Sequence, residues 1–373
     1  MYINPLIPTP YYLIDENLLV KNLEILKEIK RRSGAKILLA QKAFSSYYFY
    51  PLISQYLDGT TSSGLFEARL AKEHFGKEIH VFSPAYKDSE FEELLKYADH
   101  IVFNSNAQLI RFKDQALAAH KTIGIRINPE KSTQTHGIYD PCSPTSRMGI
   151  KIADLDESLL PFISGFHFHT LCQQNADALE ETLIAVEAKF GRYFSKLKWL
   201  NFGGGHHLTR PDYDIEKLVK IIKHYKSKYN LDIYLEPGEA VVLNAGFLVA
   251  TVLDVVHNDM SIAILDTSAT CHMPDVLEMP FTPPVIGTIE KSPFHYRLSG
   301  DTCLSGDNIG DYYFPEPLKI GDKVIFEDMA LYTIVKTNTF NGMGLPSIYA
   351  RKANHQDVLV KQFDYDDFKN KLS

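Results

Sequence analysis

The sequence predicts an α/β chain: a (β/α)8 TIM barrel over residues 15–245 and an all-β domain, barrel- or sandwich-like, built from residues 1–14 and 246–373. Three observations predict it. Short β-rich runs alternate with longer helix-patterned stretches over the first two-thirds of the chain, and eight such strands suit a barrel better than a doubly wound sheet. The rhythm then changes to close-set apolar strands separated by Pro- and Gly-containing turns. A short strand, PYYLI (10–14), precedes the first helix and can join that later sheet.

The eight barrel strands are KILLAQ (36–41), GTTSS (59–63), EIHVFS (78–83), HIVFNS (100–105), TIGIRIN (122–128), GFHFH (165–169), KWLNF (198–202) and LDIYLE (231–236). Helical periodicity marks residues 17–32, 89–98, 176–190 and 214–229, with Leu19, Leu23 and Leu26 on one face of the first. Residues 128–150, rich in Ser, Thr, Pro and Gly, form a long loop after the fifth strand, where barrel active sites are built. The later strands are expected at 247–256, 261–267, 296–300, 323–328 and 330–335, and the Gly- and Asp-rich stretch SGDTCLSGDNIGDYY reads as a turn.

Composition narrows the function. The chain has 373 residues, 45% hydrophobic and 23% charged, values that suit a large globular core and exclude intrinsic disorder. A net charge of −7 argues against a nucleic-acid partner and suits a cationic small molecule. The N-terminal stretch has neither a basic region nor an apolar core of a signal peptide, and no apolar run spans a membrane. Four dispersed cysteines without a CxxC pair fit a reducing compartment, so a cytoplasmic location is expected.

In a barrel, polar residues at the C-terminal ends of strands are the chemical candidates. Lys42 follows the apolar run ILLAQ; it can snorkel or pair with a carboxylate, or act as a nucleophilic amine if its pKa is depressed. His167 and His169 alternate on one strand and share a face, so they can bind a metal, stack on a flat cofactor, or sit in the core bonded to backbone. Gly203, Gly204 and Gly205 close the seventh strand, where backbone N–H groups can approach a phosphate or simply make a turn. Glu236 and Glu239 flank the turn after the eighth strand, as surface charges or, for Glu236, as the partner of a pyridinium nitrogen. Tyr332, in ALYT, reads as a core residue of a strand, and Asp301, Cys303 and Asp307 fall in the Gly- and Asp-rich turn.

Taken together and in order, AQKA around Lys42, FHF around His167, GGG at 203–205, EPG at 236–238, GDTCLSGD around Cys303 and ALYT…TFNGM around Tyr332 span nearly the whole chain. In this set the chain resembles the alanine-racemase-like, fold type III decarboxylases that use pyridoxal 5′-phosphate (PLP). Within that family FHFHTLCQQ (166–174), EPGEA (236–240) and LDTSATCHMPDVLEMPF (265–281) are similar to the carboxynorspermidine/carboxyspermidine decarboxylases. The resemblance implies a homodimer with shared sites and a polycationic amino-acid substrate decarboxylated in polyamine biosynthesis. Lys42 would carry PLP, His167 would pack on its ring, and Glu236 would pair with the ring nitrogen. Gly203, Gly204, Gly205 and Tyr332 would hold the phosphate. Cys303 of the second protomer would return a proton, and Glu239, Asp266 and Asp307 would receive the distal ammonium groups. The wider family commonly has Arg where Glu239 stands and Asp where Leu304 stands, departures that speak against a simple ornithine, lysine or diaminopimelate decarboxylase, the alternatives within the family. Outside it stand a metal-dependent barrel hydrolase using His167 and His169, and a non-catalytic PLP-binding protein. No metal is expected.

Overall fold

The computed structural model describes residues 3–134, 137 and 140–373. Contacts divide the chain into two compact units, residues 22–241 and a discontinuous unit of residues 1–21 and 242–373. The first strand, β1 (Tyr11–Asp15), belongs to the discontinuous unit and leads into α1 (Glu16–Ser33).

Residues 22–241 close a parallel eight-stranded barrel: β2 (Lys36–Ala40), β3 (Gly59–Ser62), β4 (Glu78–Phe82), β5 (His100–Phe103), β6 (Thr122–Arg126), β7 (Gly165–His167), β8 (Trp199–Asn201) and β9 (Asp232–Leu235). Each pairs with the next, and β9 returns to β2 with Lys36 opposite Tyr234. Leu23, Leu26 and Ile29 of α1 are fully buried, the outcome of apolar side chains recurring on one helical face. The intervening helices are α2 (Tyr50–Ile53), α3 (Leu65–His74), α4 (Asp88–Leu95), α5 (Asn106–Ala118), α6 (Ala176–Phe190), α7 (Ile215–Tyr229) and α8 (Glu239–Val242). Ser105 caps α5 and Asp214 caps α7 by accepting from N–H groups of the first turn, which explains where these helices start.

The alternation fails once. Between β6 and β7 the described chain makes two 3-10 segments, 152–154 and 157–162, instead of an α-helix, and Pro161 inside the second cannot continue an α-helical ladder. The expected long loop precedes them; four of its residues, 135, 136, 138 and 139, lie outside the described set.

The single tryptophan sets the barrel floor. Trp199 packs with Leu38, Val102 and Tyr234, and its ring fills the space that a side chain on β6 or β7 would need. A Cβ on Gly124 would stand 2.4 Å from the indole, and one on Gly165 2.0 Å.

The second unit is a mixed eight-stranded sheet built on β1 with β10 (Gly246–His257), β11 (Ser261–Leu265), β12 (Phe294–Ser299), β13 (Asn308–Phe314), β14 (Lys323–Glu327), β15 (Ser347–Arg351) and β16 (Asp357–Lys361). The N-terminal strand sits centrally, antiparallel to β10 and parallel to β15. Ile7, Tyr11, Leu13, Phe247, Val249 and Ile325 form its core.

Two expectations are corrected here. The predicted strand 330–335 is a series of bends ending in a 3-10 turn at 334–336, and Tyr332 is half-buried rather than a core strand residue. Asp328 and Tyr332 both have positive φ, 57° and 50°, so the segment cannot hold a pleated course. The stretch read as a turn ends at Asp307; NIGDYYF beyond it is β13, with Tyr312 and Phe314 buried on one face and Ile309 buried on the other. Among the described residues no helix is long and apolar enough to cross a membrane.

Candidate active site

The C-terminal mouth of the barrel holds a cavity lined by Lys42, Phe82, Arg126, His167, His169 and Glu236, with Thr61, Ser62, Ser63, Ala40 and Gly204 completing its wall. Strand ends carry these side chains inward, as the alternation of β-residues requires.

Lys42 rides on the turn after β2. Gln41 anchors that turn: its amide donates to Ser62 Oγ at 2.7 Å and to the Glu67 carbonyl at 2.9 Å, and it accepts from Tyr50 Oη at 2.8 Å. Water reaches Lys42 through the cavity mouth, yet protein crowds it on its other sides. That desolvation, with the Arg126 charge beside it, pushes the ammonium below the ordinary lysine range, toward the neutral amine that a nucleophile needs.

Glu236 directly follows β9 and is 8% exposed. Burial alone would raise its pKa, but the carboxylate accepts from His167 Nε2 at 3.1 Å and from Asn201 Nδ2 at 2.8 Å. These partners win, and Glu236 stays ionised well below the usual carboxylate range. His167, 2% exposed, is pushed down by burial and remains neutral, donating its Nε2 proton to Glu236. Its Nδ1 is buried without a partner among the described residues.

The glycine run makes the turn after β8. Gly203 and Gly205 take φ of 71° and 79°, and a Cβ on Gly205 would lie 1.9 Å from the Leu171 carbonyl oxygen. Gly203 N–H donates to Asn201 Oδ1, and Gly204 N–H donates to His169 Nδ1 at 2.8 Å. The alternating backbone has the form of an anion-binding nest at the barrel position favoured for phosphate, and an anion there would replace Asn201 and His169 as acceptors for Gly203 and Gly204 N–H. Glu239 opens α8 nearby, with Gln173 Nε2 at 3.3 Å and His207 Nε2 at 3.4 Å from its oxygens.

Thus Lys42, His167, Gly204 and Glu236 meet at one cavity, with Gly203, Gly205 and Glu239 on the adjoining turns. The other candidates lie in the sheet unit. Asp266 accepts from Thr9 Oγ1 at 2.6 Å and from Thr251 N–H at 2.7 Å. Asp307, 2% exposed, accepts from Thr270 N–H at 3.1 Å and from Thr302 Oγ1 at 2.7 Å. Cys303 is exposed, its N–H bonded to Asn341 Oδ1. Sequence reasoning missed Arg126 and Asn201, although both end barrel strands and the rule that found Lys42 would have found them.

His167 and His169 are committed to Glu236 and Gly204, and the described His/Cys/Asp/Glu cluster with metal-like convergence is elsewhere, at Glu78, His80 and His100 on β4 and β5. The cavity instead suits a flat cofactor with a ring nitrogen, a phosphate and a carbonyl: it pairs a desolvated amine with a fixed, ionised carboxylate beside an anion-binding nest.

Residues 12–330 match the family model described as pyridoxal-dependent decarboxylase, C-terminal sheet domain. The chain belongs to the pyridoxal-dependent decarboxylases. This decarboxylase is 44% identical to the carboxynorspermidine/carboxyspermidine decarboxylase of Campylobacter jejuni, over 97% of this chain and 98% of the relative. It is 40% identical to the carboxyaminopropylagmatine decarboxylase of Synechocystis, over 98% and 96%. Its fold matches the crystal structure of Campylobacter jejuni carboxynorspermidine decarboxylase complexed with norspermidine at a TM-score of 0.92, with 42% identity and 98% and 100% of the chains covered. The decarboxylase therefore uses PLP, and its barrel-plus-sheet architecture is that of the family.

Proposed function

We propose that the chain decarboxylates carboxynorspermidine and/or carboxyspermidine, releasing norspermidine or spermidine and CO2 in polyamine biosynthesis. One observation carries the chemistry: a buried carboxylate held ionised by His167 and Asn201 faces the same cavity as a desolvated Lys42. The end-to-end similarity to carboxylated-polyamine decarboxylases supports the substrate class.

When bound, PLP supplies the electron sink for the pair released as the Cα–carboxylate bond breaks. Lys42 would hold the cofactor through its amine. Glu236 would hold a proton on the ring nitrogen, and His167, which orients that carboxylate, would pack on the ring. Gly203, Gly204, Gly205 and Tyr332 would hold the phosphate. We assign the return of a proton to Cα to Cys303 of the second protomer in a homodimer. Glu239, Asp266 and Asp307 are the proposed ammonium contacts; each carboxylate already has partners, and its remaining lone pairs would receive the substrate. The free cysteines suit the cytoplasm, where we place the enzyme.

The test is a CO2-release assay on the PLP-loaded enzyme with carboxynorspermidine, carboxyspermidine, carboxyaminopropylagmatine, ornithine, lysine and diaminopimelate. Preference for the first two supports the reading; preference for an amino acid lacking the aminopropyl arm refutes it. Borohydride reduction should fix the cofactor to Lys42, and Cys303→Ala should lower turnover.

A further inference from the structure

Arg126 closes β6 and is 5% exposed, yet its guanidinium borders the cavity. Of its five N–H donors, one reaches an oxygen among the described residues, the His169 carbonyl at 3.1 Å; another lies 3.8 Å from the Met148 sulfur. The ring of Phe82 lies 4.6 Å from its centre, an arrangement that fixes the plane of the fork without filling its donors. The one carboxylate on the cavity wall, Glu236, gives its oxygens to His167 and Asn201 and makes no ion pair with Arg126 among the described residues. A buried guanidinium short of acceptors is unfavourable unless an anion arrives to meet it.

We infer that Arg126 is the oxyanion anchor of the cavity, the donors of its fork that are unfilled among the described residues receiving a ligand oxygen: the ring oxygen of PLP or the carboxylate of the substrate. The inference rests on the proposed function. Arg126 also has a consequence for its neighbour, since its charge adds to burial in lowering the pKa of the Lys42 ammonium. Lysine at this position would keep a charge but lose the planar fork.

The test compares wild type, Arg126→Met and Arg126→Lys by equilibrium dialysis with PLP and with its 3-deoxy analogue. Stopped-flow spectral titrations of each holoenzyme with carboxynorspermidine and with norspermidine follow. If the ring oxygen is the ligand, Arg126→Met weakens PLP tenfold or more while the 3-deoxy analogue binds both proteins alike. If the carboxylate is the ligand, cofactor affinity holds and the variant loses tenfold or more for carboxynorspermidine relative to norspermidine. Either result supports the anchor. Unchanged binding of all four ligands overturns it, and should Arg126→Met fail to fold, Arg126→Lys is read by the same criteria. Wild type that binds no PLP would instead overturn the proposed function, and this inference with it.

Discussion

Nε2 of His167 stands 3.1 Å from Oε2 of Glu236, and both side chains are buried. The pair joins β7 to β9 across β8, whose Asn201 takes the other carboxylate oxygen. The carboxylate is thereby fixed in place and in charge. Glu236→Gln keeps the shape and removes the charge. We expect PLP content to be retained and kcat to fall about 10²–10³-fold, the size of a lost preorganised charge interaction. Cofactor absorbance and single-substrate kinetics on the same preparation check both halves.

The opposite end of the barrel predicts acid sensitivity. His80 and His100 stack at 4.0 Å, and their Nε2 atoms lie 2.8 and 3.1 Å from Glu78 Oε1, while Lys36 and Tyr234 meet the same carboxylate. Burial, reinforced by His100, lowers the His80 pKa to about 4. Below pH 6.5 the unfolded chain binds a proton there that the folded one refuses. The contribution is therefore intact above pH 6.5 and lost progressively as pH falls to about 4, some ~3 kcal/mol by linkage. Urea unfolding at pH 7, 6 and 5 should show this loss, and His80→Gln should flatten the profile.

Two glycines separate backbone conformation from close approach. Gly76 has φ 72° with open space around it, so Gly76→Ala should cost about 1–2 kcal/mol, the left-handed penalty alone. Gly205 has φ 79° and a carbonyl oxygen 1.9 Å from where a Cβ would stand, so Gly205→Ala should cost more, about 3 kcal/mol or above. Denaturation midpoints of the two variants provide the comparison.

Asp307 offers a test of two roles. Its buried oxygens clamp Thr270 and Thr302, so Asp307→Asn should destabilise the protein by about 2 kcal/mol. Its proposed contact with the substrate should add a KM for carboxynorspermidine about tenfold higher in the folded variant, and an unchanged KM would remove Asp307 from the ammonium contacts.

The barrel was legible because each parallel strand is a short β-rich run followed by a helix or turn signal, and ILLA, EIHVF and TIGIR declare themselves this way. What misled was the sheet unit. ALYTIV looks like a strand by composition, but positive φ at Asp328 and Tyr332 breaks it, and nothing in an apolar run reveals left-handed backbone. NIGDYYF was obscured by its glycine and aspartate, although Tyr312 and Phe314, buried two residues apart on one face, carry the strand. At the cavity, Lys42, His167, Gly204 and Glu236 were readable from motif and strand position. Arg126 and Asn201 were passed over, although each is the polar last residue of its strand and the same strand-end rule reaches them.

The placement of β1 has a consequence for how the molecule is made. Its antiparallel partner β10 is translated only after the entire barrel, so β1 waits for a neighbour until the barrel strands have all been made. Until then Tyr11 and Leu13 have no core to enter, and α1 must hold that tail while the barrel closes behind it. Separating β1 from the barrel at the boundary of the two units, between residues 21 and 22, would cut the chain inside α1, so the order of synthesis is tied to the continuity of one helix.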